Sequence, residues 1–220
     1  MAFDLRDRSH QFKDELSDFL NATVCQGVRL NCMVFKTAGY TVVGYKNDRH
    51  NPRGAAFPLK INRDPKFYLS LSIRLHPDPR GGDFLMVHSS AMILRTGPEI
   101  TDGNMLLHYD YERDKPDDYP EAHLQICATS EEWEKTGVRL DGNQRLLPKL
   151  HLPVGGRRFR PTLEDIVEFL IVEKLVESRE GWKQAVKAGR DRFREKQLRA
   201  AIRNTPEVAL DQLRKDGHID

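Results

Sequence analysis

The sequence predicts an α+β fold: a mostly antiparallel, curved β-sheet with an N-terminal helix before it and a C-terminal helical segment after it. Short β-rich runs follow one another with turn residues between them, which favours antiparallel neighbours over βαβ units. From residue 161 the apolar residues change to a helical period. At 220 residues, of which 39% are hydrophobic and 31% charged, the chain can bury a sizeable core.

The opening helix is predicted over residues 7–24, where apolar side chains recur at helical spacing, and Ser9 is its predicted N-cap. Six or seven strands in series with short turns are expected after it. The runs that predict them are VRLNCMVF with TVVGYK, FYLSLSIRLHP, FLMVHSSAMILR, MLLHYDY, AHLQICA and LHLPV.

Three helices are predicted after residue 161. The first begins with Thr162 and Asp165 in the spacing of a capping box. The second spans about 182–203, and the third follows the Thr205 cap. Residues 1–160 should form the helix and sheet core, and 161–220 should pack on or extend from it as part of one domain. The side chains expected to pack on the apolar face of the sheet are Leu163, Ile166, Leu170 and Ile171.

Composition excludes several classes of protein. The net charge is only +2, so no global field demands a nucleic-acid partner. The cysteines Cys25, Cys32 and Cys127 are scattered and form no CxxC pair, which argues against a zinc finger and fits a reducing cytoplasm. The charged N-terminal segment lacks the apolar region of a signal peptide. No run approaches the roughly 20 apolar residues of a membrane span. We therefore expect a cytoplasmic protein that does not enter a membrane.

The most distinctive stretch is a predicted hairpin of residues 105–111 and 122–128. Side chains alternate between the two faces of a strand. A register that pairs 108 with 125 and 110 with 123 would therefore place His108, Asp110, His123 and Gln125 in one patch.

His108, Asp110 and His123 are the candidate catalytic residues. Two imidazoles and a carboxylate can bind a divalent metal, or can act as a general base oriented by the carboxylate. The alternative is an ordinary polar face of a half-exposed sheet. His88 and His151 are further candidates. The loop between the strands is expected to be solvated, although Asp114, Asp117 and Asp118 have the charge to line a pocket.

A second unusual stretch, GGRRFRP, runs from Gly155 to Pro161 and leads into a helix. Arg157, Arg158 and Arg160 beside a helix start are a candidate phosphate site, since guanidinium groups bind phosphate with paired hydrogen bonds. The alternative is a structural turn whose arginines pair with the nearby acids Glu164, Asp165 or Glu168.

The third candidate is the basic helix near residues 182–203. Lys183, Lys187, Arg190 and Arg194 lie at helical spacing along one face, and such a face can lie across phosphate groups. It can equally be a solvated surface helix or bind an acidic protein. Leu198 and Ile202 are among the apolar side chains that are candidates for packing inward.

A stretch of about residues 105–172 resembles a pattern in uncharacterised bacterial domain-of-unknown-function proteins. The resemblance lies in the order of the runs HYDY, YPEAHLQI and LHLPVGGRRFRPTLEDIVEFLI. In that pattern an aromatic and Asp strand precedes a P-x-x-H-L-H-I strand, a short LPV strand and an acidic helix. Gln125 replaces the second histidine here, which weakens a two-histidine site. The resemblance implies a recurring bacterial domain and no particular substrate.

Three functions are consistent with the sequence. The leading one is a cytoplasmic bacterial protein that binds nucleic acid or a partner protein through its Arg-rich surfaces, in a toxin–antitoxin or phage-defence setting. The alternative is a metal-assisted hydrolase or nuclease that uses His108, Asp110 and His123, for which a divalent metal would be the cofactor. The third is an assembly subunit, a homo-oligomer whose sheet edge pairs with itself.

Overall fold

A computed structural model describes residues 3–81, 84–115, 119–135 and 147–219 of the chain. It confirms the predicted α+β class: an N-terminal helix is followed by an antiparallel sheet and then by C-terminal helices. The segments 116–118 and 136–146 lie outside the described residues, and with them the predicted pocket acids Asp117 and Asp118.

Six α-helices, two short 3-10 helices (Asp102–Asn104 and Leu147–Lys149) and eight strands occur in the described part of the chain. The helices are α1 (Leu5–Thr23), α2 (Glu131–Lys135), α3 (Gly156–Phe159), α4 (Leu163–Val172), α5 (Trp182–Asn204) and α6 (Pro206–Lys215). The strands are β1 (Asn31–Phe35), β2 (Tyr40–Gly44), β3 (Ala56–Pro58), β4 (Tyr68–Pro77), β5 (Leu85–Arg95), β6 (Met105–Glu112), β7 (Ala122–Ile126) and β8 (Leu152–Pro153).

The strands form one sheet in the order β1-β2-β4-β5-β6-β7-β8, and β3 also pairs with β4. Each of these pairs is antiparallel. One face is apolar, and its residues share a single core with α1, α4 and α5; Val43, Leu71 and Leu75 in the sheet have no exposed surface. The side chains that alternate with this core must therefore project from the opposite face.

Helix α1 begins earlier than the sequence predicted, and Ser9 is not its N-cap. The side chain of Asp4 caps the helix by accepting hydrogen bonds from the backbone N–H groups of Arg6 and Asp7, at 2.7 and 3.2 Å. Ser9 is instead buried in the helix, where its hydroxyl lies 2.7 Å from the hydroxyl of Thr41 on β2. This hydrogen bond ties the helix to the sheet.

Helix α4 packs into the core, as predicted. The side chains of Leu163, Ile166, Leu170 and Ile171 are buried and belong to the same cluster as the sheet residues. The helix begins at the predicted capping box, since the backbone N–H of Thr162 donates to the carboxylate of Asp165 at 2.8 Å.

The end of α5 and the whole of α6 carry exposed apolar side chains. Leu198 and Ile202 are exposed, so the interpretation that they pack inward is wrong. Helix α6 has no buried residue, and α5 is the element that it contacts most. These two helical segments therefore extend from the core. No helix among the described residues has both the length and the apolar character needed to span a bilayer.

Leu170→Ala tests the position of α4. Leu170 has no exposed surface, so its truncation should lower the free energy of unfolding by about 2–5 kcal/mol, through lost burial and a residual cavity. Val172→Ala is the matched control, because Val172 is 56% exposed on the same helix. Urea unfolding measures both variants. A loss below about 1 kcal/mol for Leu170→Ala would contradict the packing of α4 in the core.

Candidate functional site

The β6–β7 hairpin has the register that the sequence predicted. His108 pairs with Gln125, and Asp110 pairs with His123. The intervening Tyr109 packs against the core on the helix-covered face. His108 and Asp110 consequently project from the opposite face of the sheet.

Asp110 lies between two histidines. Its Oδ2 is 2.8 Å from Nδ1 of His108 and 3.8 Å from Nε2 of His123. Nδ1 of His123 lies 3.1 Å from the carbonyl oxygen of Pro120. Because a carbonyl oxygen only accepts, Nδ1 of His123 carries the hydrogen in this contact. The structure thus brings the three candidate catalytic residues together, although the His123–Asp110 distance is too long for a hydrogen bond.

The exposure of these side chains limits their chemistry. The side chains of Asp110 and His108 are 31% and 16% exposed, whereas that of His123 is 5% exposed. A neutral His108 that donates from Nδ1 to Asp110 has a basic Nε2, which is the arrangement of a general base held in one tautomer. Within the described residues, no three His, Cys, Asp or Glu side chains are placed to hold one metal ion.

Residues 148–151 close against the hairpin. The ring of His151 contacts two other rings: its centroid is 4.6 Å from that of His123 and 4.2 Å from that of Tyr119. Gln125 donates to the carbonyl of Pro148 at 3.2 Å. His151 therefore belongs to the cluster, while His88 lies elsewhere.

His88 instead extends a row of rings across β1, β2, β4 and β5. Its centroid is 4.8 Å from that of His76, which lies 5.5 Å from Tyr40, and Tyr40 stacks on Phe35 at 4.8 Å. The rings contact one another across neighbouring strands, which stabilises pairing between them. We therefore assign this row to the stability of the sheet.

The arginine turn has a backbone that requires glycine. Gly155 has a φ of +65°, and a Cβ atom there would lie 2.1 Å from the carbonyl oxygen of Phe159. The turn thus closes into the single-turn helix α3, which the sequence had not indicated. This geometry points three arginines in different directions.

Arg157 is held by acids of the hairpin rather than by the acids of α4. Its guanidinium donates to both carboxylate oxygens of Glu121, with Nε at 3.1 Å, and to Asp114 at 2.5 Å. The pKa of Glu121 is lowered, first by this hydrogen bond from Arg157. The alternative in which the arginines of the turn pair with Glu164, Asp165 or Glu168 is therefore wrong for Arg157.

The other two arginines join the turn to α5. Arg158 donates to the carbonyl of Gln197 at 3.2 Å. The guanidinium of Arg160 lies 4.1 Å from the ring centroid of Tyr111 and 5.6 Å from that of Phe193. The two Arg-rich stretches of the sequence are consequently neighbours in the folded chain.

The four cations predicted on α5 have different environments. Arg190 donates to Asp165 at 2.9 Å and to Glu168 at 2.5 Å, which fastens α5 to α4. Lys187 pairs with Asp191 one turn away. Arg190 thus has a structural role, whereas Lys183, Lys187 and Arg194 are exposed.

Three further arginines near the turn were missed by the sequence prediction. Arg80 contacts Asn204 at the end of α5, and Arg203 lies 3.8 Å from the ring centroid of Phe84. Arg113 donates to the carbonyl of Val87 at 3.3 Å. They come from separate loops and a helix end, so no local sequence pattern unites them. We define the arginine surface as Arg80, Arg113, Arg157, Arg158, Arg160 and Arg203.

Comparison with known proteins does not assign the fold to a family. No protein-family model, curated protein or solved structure matches this chain.

The lowered pKa values of two histidines predict how the stability of the fold changes with pH. Burial, the largest cause, lowers the pKa of His151 and of His76 below the ordinary 6.5, and neighbouring positive charges act in the same direction. The unfolded chain therefore takes up protons near pH 6 that the folded chain does not. Stability should be constant above about pH 7.5 and should fall as the pH decreases through 6.5.

Urea unfolding at several pH values between 5 and 8 measures this dependence. His151→Gln should reduce the loss of stability at low pH, because the buried imidazole that resists protonation is removed. The same replacement at the exposed His218 is the control and should leave the slope close to that of the wild type. Equal slopes in all three proteins would contradict the role of His151.

Proposed function

We propose that this chain is a cytoplasmic bacterial protein that binds nucleic acid through phosphate contacts made by the arginine surface and α5. The observation that carries the proposal is the junction of the two elements, in which Arg158 donates to the carbonyl of Gln197. This contact places the arginine turn against the C-terminal half of α5. A toxin–antitoxin or phage-defence setting accords with such a protein.

The distribution of charge supports phosphate binding. Asp78 pairs with Arg80, and Asp114 and Glu121 pair with Arg157. Among the described residues, no carboxylate lies within ion-pair distance of four arginines of this surface: Arg113, Arg158, Arg160 and Arg203.

Like charges also lie close enough to act on one another. Arg157 opposes the charge on Arg80, although the hydrogen bond with Asp78 is the main influence and raises the pKa of Arg80. Burial is the first cause that lowers the pKa of Arg160, and Arg113 acts in the same direction. Bringing cations together costs free energy that a bound polyanion offsets, and guanidinium groups match phosphate oxygens geometrically. A chain with a net charge of only +2 thus has a local surface suited to phosphates.

Salt dependence tests the proposal. The logarithm of the affinity for short single- or double-stranded DNA and RNA should fall linearly with the logarithm of the salt concentration, by about 0.7–0.9 per phosphate contact. Lys183→Ala with Arg194→Ala should weaken binding to all sequences about equally, because phosphate contacts carry no sequence information. Fluorescence anisotropy measures both effects.

Arg63→Ala is the matched control, since Arg63 is exposed on a loop outside the arginine surface. It should leave both the affinity and the salt slope unchanged. Absence of binding to all four types of probe at low salt would reject the nucleic-acid proposal and favour a partner protein.

A second candidate function is hydrolysis at His108, Asp110 and His123. The specific observation in its favour is the 2.8 Å contact that orients His108 through Asp110. With Nδ1 held by the carboxylate, Nε2 of His108 can remove a proton from water or a hydroxyl. A histidine held in this way is also a common metal ligand, but the described residues place no third ligand for one ion, so general-base catalysis is the chemistry that this geometry favours.

Asp110→Asn tests the second candidate, because the amide keeps the shape of the carboxylate but loses its charge. If His108 is a general base, kcat for phosphodiester cleavage should fall roughly 100-fold or more in Asp110→Asn and in His108→Ala. The exposed His218→Ala is the control. Elemental analysis of the purified protein decides whether a metal takes part. An activity insensitive to both substitutions would reject this site.

A further inference from the structure

A narrow pocket lies on the helix-covered side of the sheet, where the arginine turn meets β6 and β7. Asp110 is also among its lining residues, but the alternation of β6 directs the side chains of Asp110 and His108 to the other face of the sheet. The free volume of this pocket has room for about one oxygen-sized group. The lining residues that matter here are Ser90, Tyr111, Val154, Arg160 and Pro161.

Tyr111 contributes a buried hydroxyl without a partner. The residue is 3% exposed, and its hydroxyl makes no hydrogen bond within the described chain. Burial is the main cause that raises the pKa of Tyr111, so the phenol stays protonated and can donate. A buried polar group that lacks a partner is costly, which makes this hydroxyl a marker of a ligand or of an ordered water.

Arg160 contributes a guanidinium with spare donors. It donates to the carbonyl of Arg157 and lies over the ring of Tyr111 at 4.1 Å from the centroid. A guanidinium has five N–H groups. Its pKa is lowered, with burial as the first cause, so the charge is held at a cost that a bound anion would offset.

The chemistry of the lining defines the ligand. Tyr111 and Arg160 both offer hydrogen-bond donors, and Arg113 and Arg157 also act on Tyr111 with positive charge. The complementary group is a negatively charged acceptor. Because the pocket is narrow, it admits one oxygen of a group that ends there rather than a chain that passes through.

We propose that the pocket between Tyr111 and Arg160 binds one oxygen of a terminal phosphate group. If the phosphate is the end of a nucleic acid, this inference rests on the proposed function. A free phosphate ion has the same oxygen chemistry and is the other source of this ligand. Both a terminal phosphate and an internal phosphodiester have unesterified oxygens that could enter the pocket. The internal phosphodiester carries a sugar on each side, whereas the terminal phosphate carries only one, so the terminal group brings less bulk to so small a pocket.

The first experiment compares one short single-stranded DNA with a 5′-phosphate, a 3′-phosphate or hydroxyl ends. Wild-type protein should bind one phosphorylated form roughly tenfold to a hundredfold more tightly than the unphosphorylated strand, the factor that a charge-assisted hydrogen bond provides. Tyr111→Phe removes only the hydroxyl and keeps the ring under Arg160, so it should abolish most of this preference. Tyr119→Phe is the matched control, because Tyr119 is 38% exposed outside the pocket.

The second experiment uses inorganic phosphate without nucleic acid. Phosphate should raise the melting temperature of the wild type and of Tyr119→Phe, at constant ionic strength set with chloride, and should raise that of Tyr111→Phe less. Arg160→Gln should behave like Tyr111→Phe if it remains folded, which circular dichroism checks.

The outcomes separate the inference from the proposed function. Equal affinity for phosphorylated and unphosphorylated strands, with no specific effect of phosphate, would overturn the pocket while leaving nucleic-acid binding intact; an ordered water would then satisfy Tyr111. A phosphate effect that depends on Tyr111, without binding to any strand, would support the pocket for free phosphate and reject the nucleic-acid function.

Discussion

The burial of one face of the antiparallel sheet is the constraint on which the other features depend. Helices α1, α4 and α5 share a core with that face, so the register of each strand is fixed: a slip by one residue would move its apolar side chains into water. In β6 this burial places Tyr109 and Tyr111 towards the helices and His108 and Asp110 on the opposite side. The same alternation thus creates the His–Asp cluster and the unpartnered hydroxyl of Tyr111.

The packing of the helices also gives the arginines different roles. Arg190 on α5 forms ion pairs with two carboxylates of α4, so its charge stabilises the packing of the two helices. Arg157 links the turn to the hairpin through Glu121 and Asp114. Arg158 and Arg160 contact a carbonyl and aromatic rings, respectively, which positions them without neutralising them. Positive charge therefore persists where the turn meets α5, although the chain is nearly neutral overall.

Local patterns were sufficient to predict much of this architecture. The alternation in β6 and β7 predicted the pairing of Asp110 with His123, because a half-buried hairpin has few registers that bury its apolar face. The capping box at Thr162 was equally local. The cap of α1 was misplaced because Asp4, which starts the helix earlier, satisfies the same chemistry as Ser9.

Long-range contacts explain what the sequence could not indicate. The acids that hold Arg157 are more than thirty residues away, so nearby acids were the natural but wrong expectation. The pairing of Tyr111 with Arg160 requires the turn to fold back over β6, which no spacing encodes. The closure of residues 148–151 over the hairpin likewise depends on tertiary structure, and it adds His151 to the cluster.

Nuclear magnetic resonance mapping can locate the ligand-binding face, which we propose is formed by the arginine surface and α5. A short single-stranded oligonucleotide is titrated at low salt while backbone amide and arginine Nε–H signals are followed. We expect the largest shifts at Arg158, Arg160 and Arg194, and small shifts on the His108–Asp110 face. Shifts confined to the His108–Asp110 face, or no shifts at all, would contradict this proposal.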